Sequence, residues 1–230
     1  MPDTPCSVMI FAAGFGTRMR PLTDRMPKPL IAVAGRPLID HALSLTTGIE
    51  AKRVVANLHY KADQLVDHLG GSSVKTVLET PQILDTGGGL KNALPVLQDS
   101  PVYTLNSDAI WVGENPLQTL KSAWQPAKMD ALLAVVPFAN TVGYAGSGDF
   151  SMDGNTRLGR GAGFVYGGAQ IIKTEVLAEI SDTVFSLNLV WDLLARKGTL
   201  FGCAYPGKWC DVGHPAGIGL AETLLEQADV

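Results

Sequence analysis

Short apolar runs of strand length alternate with segments that carry apolar residues at helical spacing, and this alternation limits the fold more than any other feature of the chain. Ser7–Ala12 reads as a buried strand, and 37–46 places Leu38, Ile39, Ala42, Leu43 and Leu45 on one helix. "RVVANL" (53–58) reads as a second strand, 62–69 as a short helix and "VKTVLE" (74–79) as a third strand. "TPQILDTGGG" reads as a tight turn, with a helix over 90–94 ending near Pro95. "PVYTLNSD" is a fourth strand, and Asn115–Pro116 opens a helix to about Trp124 as N-cap and first-turn proline. "DALLAVVPF" is a fifth strand.

From 141 to 168 the pattern loosens into glycines and short β-like pieces, which predicts hairpins. Helices follow at 174–180 and from a Ser186 cap through Arg196 to a stop at Gly198. "TLFGCAYP" is a strand, "GKWCDVGHP" a loop and 215–226 a final helix. Strands alternating with helices imply an α/β fold with a mostly parallel sheet covered on both faces. The ligand site of such a sheet lies beyond the carboxyl ends of its strands.

The chain has 230 residues, 46% of them hydrophobic and 17% charged, with net charge -4. It is therefore globular, and its acidic balance argues against general nucleic-acid binding. The longest apolar run, "ALLAVVPF", falls short of the ~18 residues of a membrane span, and no signal peptide is legible. Cys6, Cys203 and Cys210 show no paired spacing, so reduced thiols in a cytoplasmic protein are expected.

Against that acidic balance stands "MIFAAGFGTRMRPLTDRMPKPL" (9–30), with Arg18, Arg20, Arg25 and Lys28 beside Gly14 and Gly16. Glycines at a strand end turn the backbone tightly and present N–H groups to an anion. Lys28 lies between Pro27 and Pro29, which restrain it, and a restrained cation suits a phosphate. Met19 stands where GxGxxG needs its third glycine, which opposes a dinucleotide-dependent oxidoreductase, and GxxxxGK(S/T) is absent.

"FAAGFGTRMRPLTDRMPKPL" resembles the signature loop of the sugar-phosphate nucleotidylyltransferases, AAGxGxRxxPxTxxxPKxL. The resemblance implies a Rossmann-like, GT-A-like nucleotidyltransferase sheet with a small β-rich sugar-binding lobe. It implies one domain over 1–230, with nucleotide handled by about 1–140 and sugar by about 141–215. It implies joining of a nucleoside triphosphate to a sugar 1-phosphate with release of pyrophosphate. Ala12, Ala13, Gly14, Gly16, Thr17, Arg18 and Lys28 would wrap the nucleotide, with Arg18 and Lys28 on its phosphates. "DTGGG" resembles the family's base-contacting glycine stretch, which adds Gln82, Thr86, Gly87 and Gly88.

"LNSD" occupies the place of the family's strand-end metal motif, with Ser107 in place of the usual Gly, and "KWCDVGHP" resembles its late carboxylate segment. Asp108 and Asp211 would then hold Mg²⁺, and Arg18, Lys28 and Asp108 would carry catalysis. Asn106, Asp149, Phe164, Gly168 and Asn188 fall where the family builds its sugar pocket. Among short members the layout is most similar to the N-acetylmuramate 1-phosphate uridylyltransferases, which makes UTP and N-acetylmuramate 1-phosphate the expected substrates. The glycines from 143 to 168 leave room for the lactyl ether, with Arg157 or Arg160 as candidate donors. Glucose, mannose and GlcNAc types, a phosphocholine cytidylyltransferase-like enzyme and a non-catalytic nucleotide-sugar regulator stay open. A monomer or small homo-oligomer is expected.

Overall fold

A computed structural model describes residues 4–228. Its centre is the strand Ser7–Phe11, whose alternate side chains enter two cores. Val8 and Ile10 pack among Ile39, Ala42, Leu65, Leu117 and Leu120, on helices Leu38–Thr47, Ala62–Leu69 and Pro116–Ala123. Met9 packs on the opposite face among Leu90, Ala93, Leu97, Val190 and Leu194, on helices Asp85–Leu97 and Leu187–Lys197. A strand buried on both faces needs apolar side chains at successive positions, which explains its unbroken hydrophobic run.

This strand belongs to a nine-stranded sheet. Arg53–Leu58 and Val102–Asn106 flank it in parallel, and Lys75–Leu78 continues beyond Arg53–Leu58. Phe164–Ile172 runs antiparallel to Val102–Asn106 and to Ala131–Pro137, which in turn pairs in parallel with Leu200–Ala204. The hairpin of Phe150–Met152 and Leu158–Arg160 extends the sheet from Phe164, so the β-rich region from 150 to 172 is continuous with the main sheet. No helix among the described residues is long and apolar enough to cross a membrane.

The helix caps follow the sequence. Asn115 Oδ1 accepts from the Leu117 N–H and Ser186 Oγ from the Asn188 N–H. Gly198, at φ +71°, ends the second of these helices.

Three local expectations are corrected. The "DTGGG" turn and the helix over 90–94 are one helix, Asp85–Leu97, which runs through the glycines and past Pro95. A Cβ on Gly87 would collide with the Phe185 ring, one on Gly88 with the Thr183 carbonyl and one on Gly89 with the Glu79 carboxylate. The glycines are therefore where the helix lies against its neighbours. Pro95 removes one hydrogen bond, and burial of Leu90, Ala93 and Leu97 holds the last turn in place.

The "GKWCDVGHP" loop contains a strand, Lys208–Asp211, paired antiparallel with Ala109–Val112 and parallel with Thr141–Val142. Trp209 and Cys210 are both buried there, in two separate small cores. Such a strand is stabilised by partners distant in sequence, which local pattern does not reveal. The segment 174–180 forms a 3₁₀ helix, Thr174–Glu179, in place of an α-helix.

Candidate active site

The loop after Ser7–Phe11 folds back on itself at the carboxyl edge of the sheet. Gly16 has φ +60°, and a Cβ there would lie 2.8 Å from Lys28 Cβ and 2.9 Å from Thr23 Cγ2. Only glycine fits this approach, and the Thr23 hydroxyl fixes it by donating to the Gly16 carbonyl at 2.9 Å. The loop's cations then divide. Arg18 and Lys28 line a cavity of about 220 Å³, together with Gly14, Gly16, Thr17 and Asp108. Arg20 instead forms an exposed pair with Asp24 at 3.4 Å, and Arg25 is exposed and lines none of the three cleft compartments.

Lys28 is buried, and its Nζ donates to Asp108 Oδ2 at 2.7 Å. Ser107 donates to the Phe11 carbonyl at 2.7 Å, so this serine ties two adjacent strand ends beside Asp108. Asp211 comes from the other direction. Its strand places it opposite Ala109, and the Val212 N–H donates to the Asp108 carbonyl at 3.0 Å. A Cβ on Gly213 would sit 2.6 Å from Asp211 Oδ2 and 3.2 Å from Arg18 Nη1, which places that carboxylate and guanidinium on either side of one small gap. Burial pushes the Asp211 carboxyl up from its ordinary range, and the Asp108 charge adds to this. Lys28, Arg18 and His214 oppose the shift.

Two carboxylates that repel each other beside two cations suit a divalent ion shared with phosphates. Among the described residues no cluster of three or more His, Cys, Asp or Glu side chains forms a self-sufficient metal cage. Mg²⁺ does not require one, because it binds through one or two carboxylates plus phosphate oxygens and water.

A second compartment, about 240 Å³, shares Gly14 and Asp108 with the first and is lined also by Ala13, Asn57, Glu79 and Thr86. Asn57 and Glu79 are buried and form a chain across three elements. Asn57 Oδ1 accepts from the Ala12 N–H at 2.9 Å, and its Nδ2 donates to Glu79 Oε1 at 2.6 Å. Glu79 Oε2 accepts from the Leu84 N–H at 2.7 Å. The signature loop and the start of the Asp85 helix are thus held in one frame. Asp85 itself has φ +60°, uncommon for a residue with a side chain, and its Oδ1 accepts from the Thr86 N–H at 2.6 Å.

A third compartment, about 250 Å³, continues from Asn106 and Thr86 to Asp149, Arg160, Asn188 and Trp191. Its floor is anchored in the core. Trp191 Nε1 donates to Gln170 Oε1 at 2.9 Å, and Gln170 Nε2 donates to Thr104 Oγ1 at 3.0 Å. Tyr166 stands edge-on to Trp191 with ring centres 4.6 Å apart. Asp149 Oδ2 accepts from the Tyr166 N–H at 2.8 Å.

The structure brings Ala12, Ala13, Gly14, Gly16, Thr17, Arg18, Lys28, Thr86, Asn106, Asp108, Asp149 and Asn188 to the walls of one continuous cleft. Asp211 stands behind Gly213, next to that wall. Five other residues face elsewhere. Gln82 is exposed outside the cleft. Gly87 and Gly88 are buried and both donate their N–H groups to the Phe185 carbonyl, at 2.9 and 3.0 Å. Phe164 packs against the core, and Gly168 (φ +94°) supports Asn106, which a Cβ would strike. Of the two candidate donors, Arg160 lies in the cleft, whereas Arg157 stacks on Phe201 at 5.8 Å, away from it.

Residues 8–217 match the family model of the MobA-like NTP transferase domain. An N-acetylmuramate alpha-1-phosphate uridylyltransferase of Caulobacter vibrioides is 38% identical, over 99% of this chain and 100% of the relative. One of Neisseria meningitidis serogroup B is 31% identical, over 94% of this chain and 96% of the relative. The crystal structure of HddC from Yersinia pseudotuberculosis complexed with GMP-PN has the same fold, with TM-score 0.78 at 22% identity over 95% of this chain and 99% of that one. A family match across most of the chain and two relatives above 30% identity over nearly all of it make this protein a member of the MobA-like NTP transferase family and a sugar-1-phosphate nucleotidylyltransferase.

Proposed function

We propose that the protein transfers a uridylyl group from UTP to N-acetylmuramate 1-phosphate, with Mg²⁺, giving UDP-N-acetylmuramate and pyrophosphate. The observation that carries this reading is the similarity to two uridylyltransferases of that specificity along almost their whole length. In this reaction an oxygen of the sugar phosphate attacks the α-phosphorus of the nucleotide. One P–O bond forms there while the bond to the β-phosphate oxygen breaks, and pyrophosphate leaves. The attacking oxygen is already anionic, so no side-chain base is needed. Catalysis is then mainly positioning and charge stabilisation.

Each compartment has a part in this scheme. The triphosphate lies on Gly14, Gly16, Arg18 and Lys28, and the base enters the second compartment beside Asn57 and Thr86. Residues after 141 hold the sugar, with Asn106, Asp149 and Asn188 accepting or donating at its hydroxyls. Lys28 acts at the α-phosphate, where charge builds in the transition state, and Arg18 holds the departing pyrophosphate. Asp108 and Asp211 would hold Mg²⁺, which when bound offsets charge on the phosphate oxygens. A cytoplasmic site of action belongs to the same reading, supported by the three free thiols.

The test is a matrix of nucleoside triphosphates against sugar 1-phosphates, scored by pyrophosphate release. UTP with N-acetylmuramate 1-phosphate is expected to give the highest kcat/KM. A clear preference for GlcNAc, glucose or mannose 1-phosphate overturns the muramate assignment.

A further inference from the structure

Arg160 is the one cation among the described residues lining the third compartment. Its guanidinium is held in place. Nε donates to Asp192 Oδ1 at 2.7 Å, and Nη2 donates to the Asn188 carbonyl at 3.1 Å. The group lies over Phe150 at 4.9 Å and beside Trp191 at 5.9 Å. Of its five N–H donors these contacts use two, one on Nε and one on Nη2. Nη1 makes no hydrogen bond among the described residues, which leaves donors on the edge that Nη1 shares with Nη2. That edge is the fork that receives a carboxylate through two parallel bonds. The ion pair with Asp192 is 41% and 42% exposed at its side chains, so it adds little stability. Its geometric effect is to orient the fork.

The other charges of this compartment restrict where an acidic substituent can go. Asp85 and Asp149 are also on its wall. Both are acceptors, suited to sugar hydroxyls, and they repel a second carboxylate placed beside them. A substrate acid is therefore directed to the Arg160 end. Lysine would not serve equally, because it offers a point charge without the planar fork.

We infer that Arg160 selects an acceptor carrying a carboxylate on its sugar ring, binding the lactyl carboxylate of N-acetylmuramate 1-phosphate end-on. This inference rests on the proposed acceptor. Arg160 is then a specificity residue, separate from the phosphate-binding Arg18 and Lys28.

The test compares N-acetylmuramate 1-phosphate with its neutral lactyl carboxamide, each with UTP, in wild type, Arg160→Gln and Arg160→Lys. The readout is the ratio of kcat/KM for the acid to that for the amide. A site built for a hydrogen-bonded group discriminates by differential binding in the transition state, so the wild-type ratio is expected well above one. Arg160→Gln is expected to lower that ratio about 10²-fold, in line with loss of a charge-assisted pair, and Arg160→Lys to give an intermediate value. Melting curves confirm that the variants are folded. If acid and amide fall together in Arg160→Gln, leaving the ratio unchanged, Arg160 only supports the wall and the inference is overturned while the proposed acceptor stands. A wild-type ratio near one overturns the inference, and if GlcNAc 1-phosphate is also preferred the acceptor reading falls with it.

Discussion

Lys28 Nζ and Asp108 Oδ2 are 2.7 Å apart, so the cleft pairs a cation proposed to meet phosphate with a carboxylate proposed to serve the metal. Under the proposed roles each partner competes with the other's ligand. Triphosphate drawing Lys28 away would free Asp108, which couples nucleotide and metal binding.

That coupling predicts the behaviour of Lys28→Ala. Its kcat is expected to fall more than its KM for UTP rises, since a cation at the α-phosphate acts chiefly in the transition state. Without nucleotide, it should bind Mn²⁺ more tightly than wild type, because Asp108 has lost its competing cation. Arg18→Ala should show the opposite kinetic balance. Mn²⁺ titration followed by electron paramagnetic resonance, beside steady-state kinetics, checks both parts. Weaker Mn²⁺ binding by Lys28→Ala contradicts the coupling.

Asp108→Asn is expected to lower kcat at saturating Mg²⁺ by about 10²-fold or more, a typical cost of losing a charge-stabilising group. Asp211→Asn should behave similarly. The double variant should lose little more than either single, because both would act through one ion. Strictly multiplicative losses would argue for two independent roles.

Gly16→Ala forces a side chain into the left-handed region and against Lys28. A destabilisation of about 1–3 kcal/mol is expected, with a raised KM for UTP as Lys28 is displaced. Chemical denaturation and nucleotide KM are the measurements, and an unchanged KM would separate the glycine from the phosphate wall.

Gly87→Ala tests the helix glycines. Its added methyl meets the Phe185 ring, so stability should fall by about 1–3 kcal/mol, the range for overpacking. Its KM for UTP should change far less than in Gly16→Ala. A variant that keeps its melting temperature but loses affinity for UTP would return Gly87 to the nucleotide site.

The alkaline limb of stability has a defined sign. Cys210 is pushed up to about 11, by burial first and by Asp211 second, from an ordinary 9.0. Burial pushes Tyr103 and, with help from Glu114, Tyr205 up to about 12 from 10.0. Above pH 9 the unfolded chain therefore releases protons that the folded chain keeps, and stability falls as pH rises from 9 towards 12. Melting temperatures between pH 8 and 11 check this. A flat profile would mean that these groups titrate alike in both states.

The loop proposed to hold the phosphates was legible because it is local. Gly16, Thr23 and Lys28 fold against one another within a single loop whose glycines and prolines are visible in the sequence. Asn57 and Glu79 were less visible, although each is a polar residue near the carboxyl end of a strand, which is the signal that could have found them. Trp191 and Gln170 were illegible, since their bond joins a helix to a strand across the core. Gly87 and Gly88 show the opposite difficulty: a loop-like composition met a helix whose glycines face Phe185 and Thr183. The strand Lys208–Asp211 depends on Ala109–Val112 and Thr141–Val142, and no local periodicity encodes that pairing.

That strand also sets a time order during synthesis. A nascent chain that has left the ribosome through residue 200 already has Arg18, Lys28 and Asp108, and it has the partner strand Ala109–Val112. It still lacks Asp211, and it lacks the Ala216–Ala228 helix whose Ala221 and Leu224 pack with Met19, Val33 and Cys210. The carboxylate pair is therefore complete only once residue 211 has emerged, and under the proposed roles catalysis cannot begin before then.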